Sequence, residues 1–355
     1  MTPRNIVRNP TPKCVLVTGG AGYIGSHIVW RLIEAGYPVV VLDNLYSGHR
    51  WAVHKDAEFV EGDVGDTALV RDVLRKHKVG AVIHLAGYIV VPESVADPLK
   101  YYRNNTCASH DLIEACIEAG VNNFVYSSSA AVYGNPERVP LGEDSATIPA
   151  SPYGSSKLMT EWILRDVASS QKATGRGFRY IALRYFNVAG ARSDGRLGQA
   201  TPTATHLIKV ACEAACGLRD HVAIFGTDYD TPDGTCIRDY IHVEDLATAH
   251  LAALGYLDNG GASQALNCGY GRGYSVRDVL DMVRTVSGSD FDIRETTRRP
   301  GDVTALVADS TRLQRMMDWQ PRHANLETIC RSAFEWEKTY QLKRANKLMV
   351  GSLPR

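Results

Sequence analysis

The chain has 355 residues, with 39 Lys plus Arg against 39 Asp plus Glu, so the formal net charge is zero. With 22% charged and 45% hydrophobic residues it has the balance of a folded globular protein, which argues against disorder and gives no electrostatic basis for binding nucleic acid or an anionic membrane. No run of 18 apolar residues offers a spanning helix, and the leading MTPRNIVRNPTPK has basic residues without an apolar segment, so neither a membrane anchor nor a secretory signal is expected.

The first half alternates strand and helix signals. Continuously apolar runs at 14–17, 39–42, 81–83, 124–126 and 181–183 read as strands covered on both faces. A helix is expected over 22–35, where Ile24, Ile28 and Leu32 recur every four residues before Gly36. A second is expected over 98–119. A third, over 151–170, opens with Ser151 as N-cap and Pro152 in the first turn. This alternation predicts an α/β fold, a Rossmann-type doubly wound parallel sheet over 13–190, with a returning segment at about 237–268. After Gly190 the texture changes. Residues 190–202 and 226–235 read as long loops of the kind that serve a site. Shorter helices are expected over 243–257, 275–286, 310–317 and 324–336. Residues 191–236 and 269–340 then make a smaller mixed α/β lobe, and 1–12 and 341–355 are expected to be loose.

Eight scattered cysteines contain no CxxC pair, so reduced, buried thiols in a cytoplasmic setting and no metal site are expected. The sharpest motif is Thr18-Gly19-Gly20-Ala21-Gly22-Tyr23-Ile24-Gly25, which follows a strand and opens a helix. Glycines there allow a tight turn and close approach of a pyrophosphate to a helix N-terminus. The second strand ends in Asp43-Asn44. A carboxylate at that point accepts the ribose hydroxyls of adenosine and repels a 2′-phosphate, which favours NAD over NADP. Asp63, after a third short strand at 60–64, is read either as serving the adenine end or as a helix cap. Tyr153 and Lys157 stand four apart on a helix and share a face. A nearby ammonium and a positive nicotinamide both favour a phenolate, so Tyr153 is a candidate base near neutral pH. The run Ser127-Ser128-Ser129 ends the preceding strand at the ligand-binding edge of the sheet.

Together these stretches resemble the extended short-chain dehydrogenase/reductase superfamily, and within it the UDP-glucose (UDP-galactose) 4-epimerases. The matching segments are TGGAGYIGSH (18–27), LDNLYSG (42–48), SSSAAVYG (127–134), SPYGSSKLMTE (151–161), LRYFNVAGA (183–191), IFGTDYDTPDGTCIRDYIHVEDLA (224–247) and RRPGD (298–302). The resemblance runs from about Lys13 to about Trp336. It implies Tyr153 as base, Lys157 on the nicotinamide ribose and Ser129 on the sugar O4. It implies that Gly19, Gly22, Tyr23, Ile24, Gly25, Asp43, Asn44, Asp63, Val64, Leu85, Ala86, Gly87, Asn104, Ser127 and Tyr185 line the NAD site. Asn187, Leu207, Phe225, Arg238, Tyr240, Arg299 and Asp302 are implied for the UDP-sugar, and arginines suit a diphosphate. Read without the resemblance, Arg238 beside Asp239 is a plain ion pair.

The implied reaction removes the O4 proton while the C4 hydride moves to NAD. The 4-keto sugar turns over and is reduced from its other face, in a redox-neutral step of galactose metabolism. Three departures matter. Dehydratases of the superfamily carry an Asp-Glu pair where this chain has Ala130 and Ala131, which argues against elimination chemistry. Ile89 stands where a cofactor-contacting lysine is common, and Pro92 where a glycine is usual. Leu306 stands where a tyrosine restricts many relatives to glucose and galactose, which leaves UDP-N-acetylglucosamine open; a UDP-xylose/UDP-arabinose 4-epimerase is a further alternative. A non-catalytic NAD-binding regulator is the remote one. The resemblance also implies a homodimer through the helices at 98–119 and 151–170, with Leu158, Trp162, Leu164 and Val167 as candidate apolar surface.

Overall fold

The computed structural model describes residues 12–201 and 204–351. The strands are β1 (Cys14–Thr18), β2 (Val39–Asp43), β3 (Glu58–Glu61), β4 (Val79–His84), β5 (Asn123–Ser129), β6 (Arg179–Tyr185), β7 (Asn187–Ala189), β8 (His221–Phe225), β9 (Ile237–His242), β10 (Gln264–Cys268), β11 (Gly273–Ser275), β12 (Asp292–Thr296) and β13 (Ala305–Leu306). The helices are α1 (Tyr23–Glu34), α2 (Thr67–Lys76), α3 (Val91–Ala96), α4 (Pro98–Tyr101), α5 (Ala108–Glu118), α6 (Pro152–Ala173), α7 (Leu207–Ala215), α8 (Val243–Asp258), α9 (Val276–Ser287), α10 (Thr311–Met317) and α11 (Leu326–Gly351).

Seven strands form one parallel sheet in the order β3-β2-β1-β4-β5-β6-β10. Its apolar runs are buried twice over, because successive side chains point to opposite faces. Val15, Val17, Val41, Ile83 and Val125 pack against Ile28 and Leu32 of α1 and Leu246 and Leu254 of α8. Leu16, Val40, Val82 and Phe124 pack against Val70 and Leu74 of α2, Leu112 of α5 and Leu164 of α6. The strand order reverses between β1 and β4, and a crevice opens beyond their carboxyl ends, where open α/β sheets take ligands. A smaller lobe of β8, β12, α7, α9 and the start of α11 has its own core around Ile208, Val222, Leu280 and Ile329.

Several elements depart from expectation. Residues 98–119 form α4 and α5 joined by a π-helical stretch, Tyr102–Cys107, so the helix widens beside the crevice. Pro92 sits in the first turn of α3, where its fixed φ costs no hydrogen bond. Of the segment at 237–268, α8 and β10 return to the large sheet, but β9 pairs with β7, β11 and β13 in a second sheet. The tail is helical through Gly351 rather than loose from 341. Residues 352–355 and all but Pro12 of the expected loose leader lie outside the described residues. Three of the four candidate interface residues serve this chain's own core: Leu158 and Leu164 are buried in separate clusters and Val167 packs against that of Leu164, while Trp162 alone is exposed.

Burial leaves a pH signature. Desolvation pulls His84 and His242 down to about 3, and His27 and His250 down to about 4. Between pH 6.5 and these values the unfolded chain binds protons that the folded chain does not. Stability therefore falls as pH falls through that window, by up to about 1.4 kcal/mol per pH unit for each such histidine. Thermal melts followed by circular dichroism should show Tm dropping steeply from pH 6.5 toward pH 4. A flat profile would contradict this burial.

Candidate active site

The β1–α1 turn is built for an anion. Gly19 has φ +70°, and a Cβ there would lie 2.8 Å from the Ala86 nitrogen; a Cβ at Gly25 would lie 2.1 Å from the Gly19 oxygen. The turn is thus as tight as backbone permits, and no side chain caps the α1 N-terminus, leaving first-turn N–H groups for a ligand. Ile24 packs on the core, and the Tyr23 hydroxyl donates to Gly190 O at 2.6 Å, fixing the turn to the far side of the crevice. At the end of β2 the Asp43 carboxylate accepts Ala21 N–H and Leu45 N–H at 2.9 and 2.8 Å, and burial raises its pKa. Asp63 is not the helix cap: Asp66 caps α2, accepting Leu69 N–H. Asp63 instead accepts Gly65 N–H and the Asn44 amide, each at 2.8 Å, beside buried Val64. It lines a cleft of about 880 Å³ shared with Tyr88, Lys100 and Asn104.

Residues 85–87 leave β4 along the opposite wall. Asn105, 1% exposed, holds this loop by accepting Tyr88 N–H at 2.8 Å and donating to Tyr88 O at 3.0 Å. Thr18, His84 and Ser109 form a buried chain beneath it, with contacts of 2.6 and 2.7 Å. Asn105 did not stand out in the sequence, because an isolated polar residue in a helix has no periodic signal.

Ser127 and Ser129 share one side of β5, and the Ser128 hydroxyl points the other way, to Glu161 of α6. Lys157, 3% exposed, donates to Ser127 O at 2.9 Å, and the Ser127 hydroxyl pairs with the Tyr185 hydroxyl. Tyr153 is buried beside Ser129 and meets Tyr101 edge to face at 6.4 Å. Desolvation pulls Lys157 down to about 8. It also raises the Tyr153 phenol, outweighing the hydrogen bond from Ser129. The expectation of a phenolate near neutral pH rests on a positive nicotinamide beside the ring as well as on the ammonium. The Lys157 ammonium gives one of its three N–H groups to Ser127 O, and within the protein it is the Ser129 hydrogen bond that favours the phenolate.

Across the crevice the UDP candidates gather. Arg299 donates to Asp302 at 3.0 Å and lies 4.5 Å over the Phe225 ring. Arg238 donates to the carbonyls of Val303 and Ile237 at 2.7 and 2.8 Å and stands 4.0 Å from Asp302. It does not pair with Asp239, whose carboxylate accepts N–H groups of Tyr270, Gly271 and Ala308. Asn187 lies opposite Tyr240 in the β7–β9 register, and Leu207 opens α7 after His206, which feels the Arg299 charge. Tyr240 itself is 3% exposed and belongs to the small lobe's core. His242, Glu244 and His323 bring donor atoms within 4.8 Å of one another. Hydrogen bonds to Ser332 and Glu244 N–H occupy both His242 nitrogens, and Arg31 and Ser193 N–H occupy Glu244.

Comparison with known proteins agrees with this geometry. Residues 15–269 match the model of the NAD dependent epimerase/dehydratase family. A UDP-glucose 4-epimerase of Azospirillum brasilense is 56% identical over 327 residues, covering 92% of each chain. The crystal structure of UDP-glucose 4-epimerase from Brucella ovis in complex with NAD superposes with a TM-score of 0.86 at 44% identity, over 91% of this chain and 98% of that one. The UDP-Glc/GlcNAc 4-epimerase of Campylobacter jejuni superposes with a TM-score of 0.80 at 46% identity, over 92% and 99%. A parallel sheet in Rossmann order, a glycine turn without a cap, a Tyr-Lys-Ser cluster and this similarity over most of the chain agree: the chain belongs to the NAD dependent epimerase/dehydratase family.

Proposed function

We propose that the chain interconverts UDP-glucose and UDP-galactose by NAD-dependent inversion at C4 of the hexose. The observation that carries this reading is the joining of Tyr153, Lys157 and Ser129 at one sheet edge, between a dinucleotide-type glycine turn and an arginine pair. The 56% identity to a UDP-glucose 4-epimerase supports it. NAD, when bound, would supply the hydride acceptor and donor and a positive charge that favours the phenolate. The glycine turn and α1 N-terminus hold its pyrophosphate, and Asp43 its adenosine ribose. Tyr153 takes the O4 proton and returns it, Ser129 hydrogen-bonds O4, and Lys157 holds the nicotinamide ribose. Arg238 and Arg299 keep the diphosphate anchored while the sugar turns. Ala130 and Ala131 offer no group for elimination.

A second reading extends the substrate to N-acetylated sugars. Leu306 lies in β13, packed with Tyr133, Phe186 and Val303, and is smaller than a tyrosine. Purified protein without added cofactor should convert UDP-galactose to UDP-glucose by proton NMR. Leu306→Tyr should lower conversion of UDP-N-acetylgalactosamine roughly 10–100-fold while sparing UDP-galactose, the scale of discrimination one pocket residue achieves. No conversion of either sugar, or of UDP-arabinose, with NAD added would overturn the proposal. The free thiols of all eight cysteines support a cytoplasmic setting. Exposed Leu99 and Trp162 on α4 and α6 support a homodimer, and a monomeric mass by light scattering would remove that part of the proposal.

A further inference from the structure

The loops after β2 and β4 meet across the crevice in a contact that the Tyr-Lys-Ser chemistry does not use. Tyr46, from the loop after β2, meets Tyr88, from the loop after β4, edge to face at 5.0 Å. The Lys100 ammonium, from α4, lies 4.4 Å over the Tyr88 ring and 5.6 Å over the Tyr46 ring. Glu93 holds that ammonium at 2.6 Å. The three side chains thus cross from one wall of the crevice to the other, beside the cleft that Asp63 and Asn104 line.

The two ends of this crossing differ in stiffness. On the β4 side, Asn105 binds both backbone groups of Tyr88, and the Tyr101 hydroxyl accepts Val90 N–H at 2.9 Å while standing 2.7 Å from Val90 O. Between them Ile89 is 48% exposed and offers no charge. On the β2 side, Tyr46 is 63% exposed, and the Asn44 side chain accepts its N–H at 3.0 Å. Opening must therefore occur on the Tyr46 side, and it must break the Tyr46–Tyr88 and Lys100–Tyr46 contacts. We infer that Tyr46, Lys100 and Tyr88 form a strap across the dinucleotide, and that the strap sets how slowly the cofactor leaves. A redox-neutral reaction needs no cofactor exchange, so slow release suits it.

The inference rests on the resident-NAD reading, and the experiment separates the two. Holoprotein is diluted into an NAD-hydrolysing scavenger, and NAD remaining on the protein is measured by chromatography over time. Tyr46→Ala and Lys100→Ala should each release NAD about tenfold faster, the loss expected for a cation–π or edge-to-face contact over a bound ligand. Lys172→Ala, at the far end of α6, should release at the wild-type rate. Tyr46 is too exposed for its removal to unfold the chain, so a fault in folding cannot account for both variants. Wild type that retains NAD while both strap variants release it at the wild-type rate would overturn the strap alone. Wild type that neither holds nor takes up NAD would overturn the cofactor reading and the strap together.

Discussion

Tyr153→Phe should lower kcat by roughly 10²–10⁴, the range over which a positioned acid–base group acts. The substitution keeps the ring, its burial and its edge-to-face contact with Tyr101, and removes the hydroxyl and its bond with Ser129. The variant should keep its circular dichroism spectrum and its NAD content. A loss of less than tenfold would show that another group moves the O4 proton, and an unchanged function would favour the non-catalytic NAD-binding reading. The pH profile adds a second check. Because burial holds Lys157 at about 8, raising the pH past that value removes the ammonium beside the site. Turnover should fall on that alkaline limb, and Lys157→Met should lack it.

The parts of this fold that were legible in the sequence were those with a local or periodic cause. The apolar runs of the large sheet, the glycine turn after β1, the Ser151–Pro152 start of α6 and the Tyr153/Lys157 spacing each follow from one segment read alone. Other parts depend on contacts between segments. Strand β9 has the hydropathy of a returning sheet strand, yet it pairs with β7, β11 and β13, a choice set by register with distant residues. Helix α2 is absent from the expected elements although Leu69, Val70, Val73 and Leu74 carry a helical period within that one segment. The direction of the Tyr153 shift was not legible either. It depends on how deeply Tyr153 is buried and on its hydrogen bond with Ser129, neither of which spacing reveals.

The same dependence on distant contacts governs the register of α6 against the sheet. Glu161 follows Tyr153 and Lys157 at four-residue spacing on one face of that helix. Its carboxylate accepts the Ser128 hydroxyl, from the opposite side of β5 to Ser127 and Ser129. Arg184 of β6 grips the same carboxylate through Nη2 at 2.6 Å and Nε at 3.0 Å, with side-chain exposures of 8% and 6%. The guanidinium continues to the Tyr133 hydroxyl at 3.0 Å, and that hydroxyl to Asn267 of β10 at 2.7 Å. Glu161→Ala strands a buried guanidinium and should cost about 3–5 kcal/mol, the usual penalty for removing one partner of a buried pair. Urea unfolding should show this as a lowered midpoint at unchanged slope. Replacing both partners, Glu161→Leu with Arg184→Met, should recover most of the loss, because an apolar pair leaves no charge without a partner. A single-variant loss below about 1 kcal/mol would mean that water or a neighbouring group satisfies Arg184. The helix bearing the proposed base would then hold its place by apolar packing and by its bonds to Ser127 and Asn105.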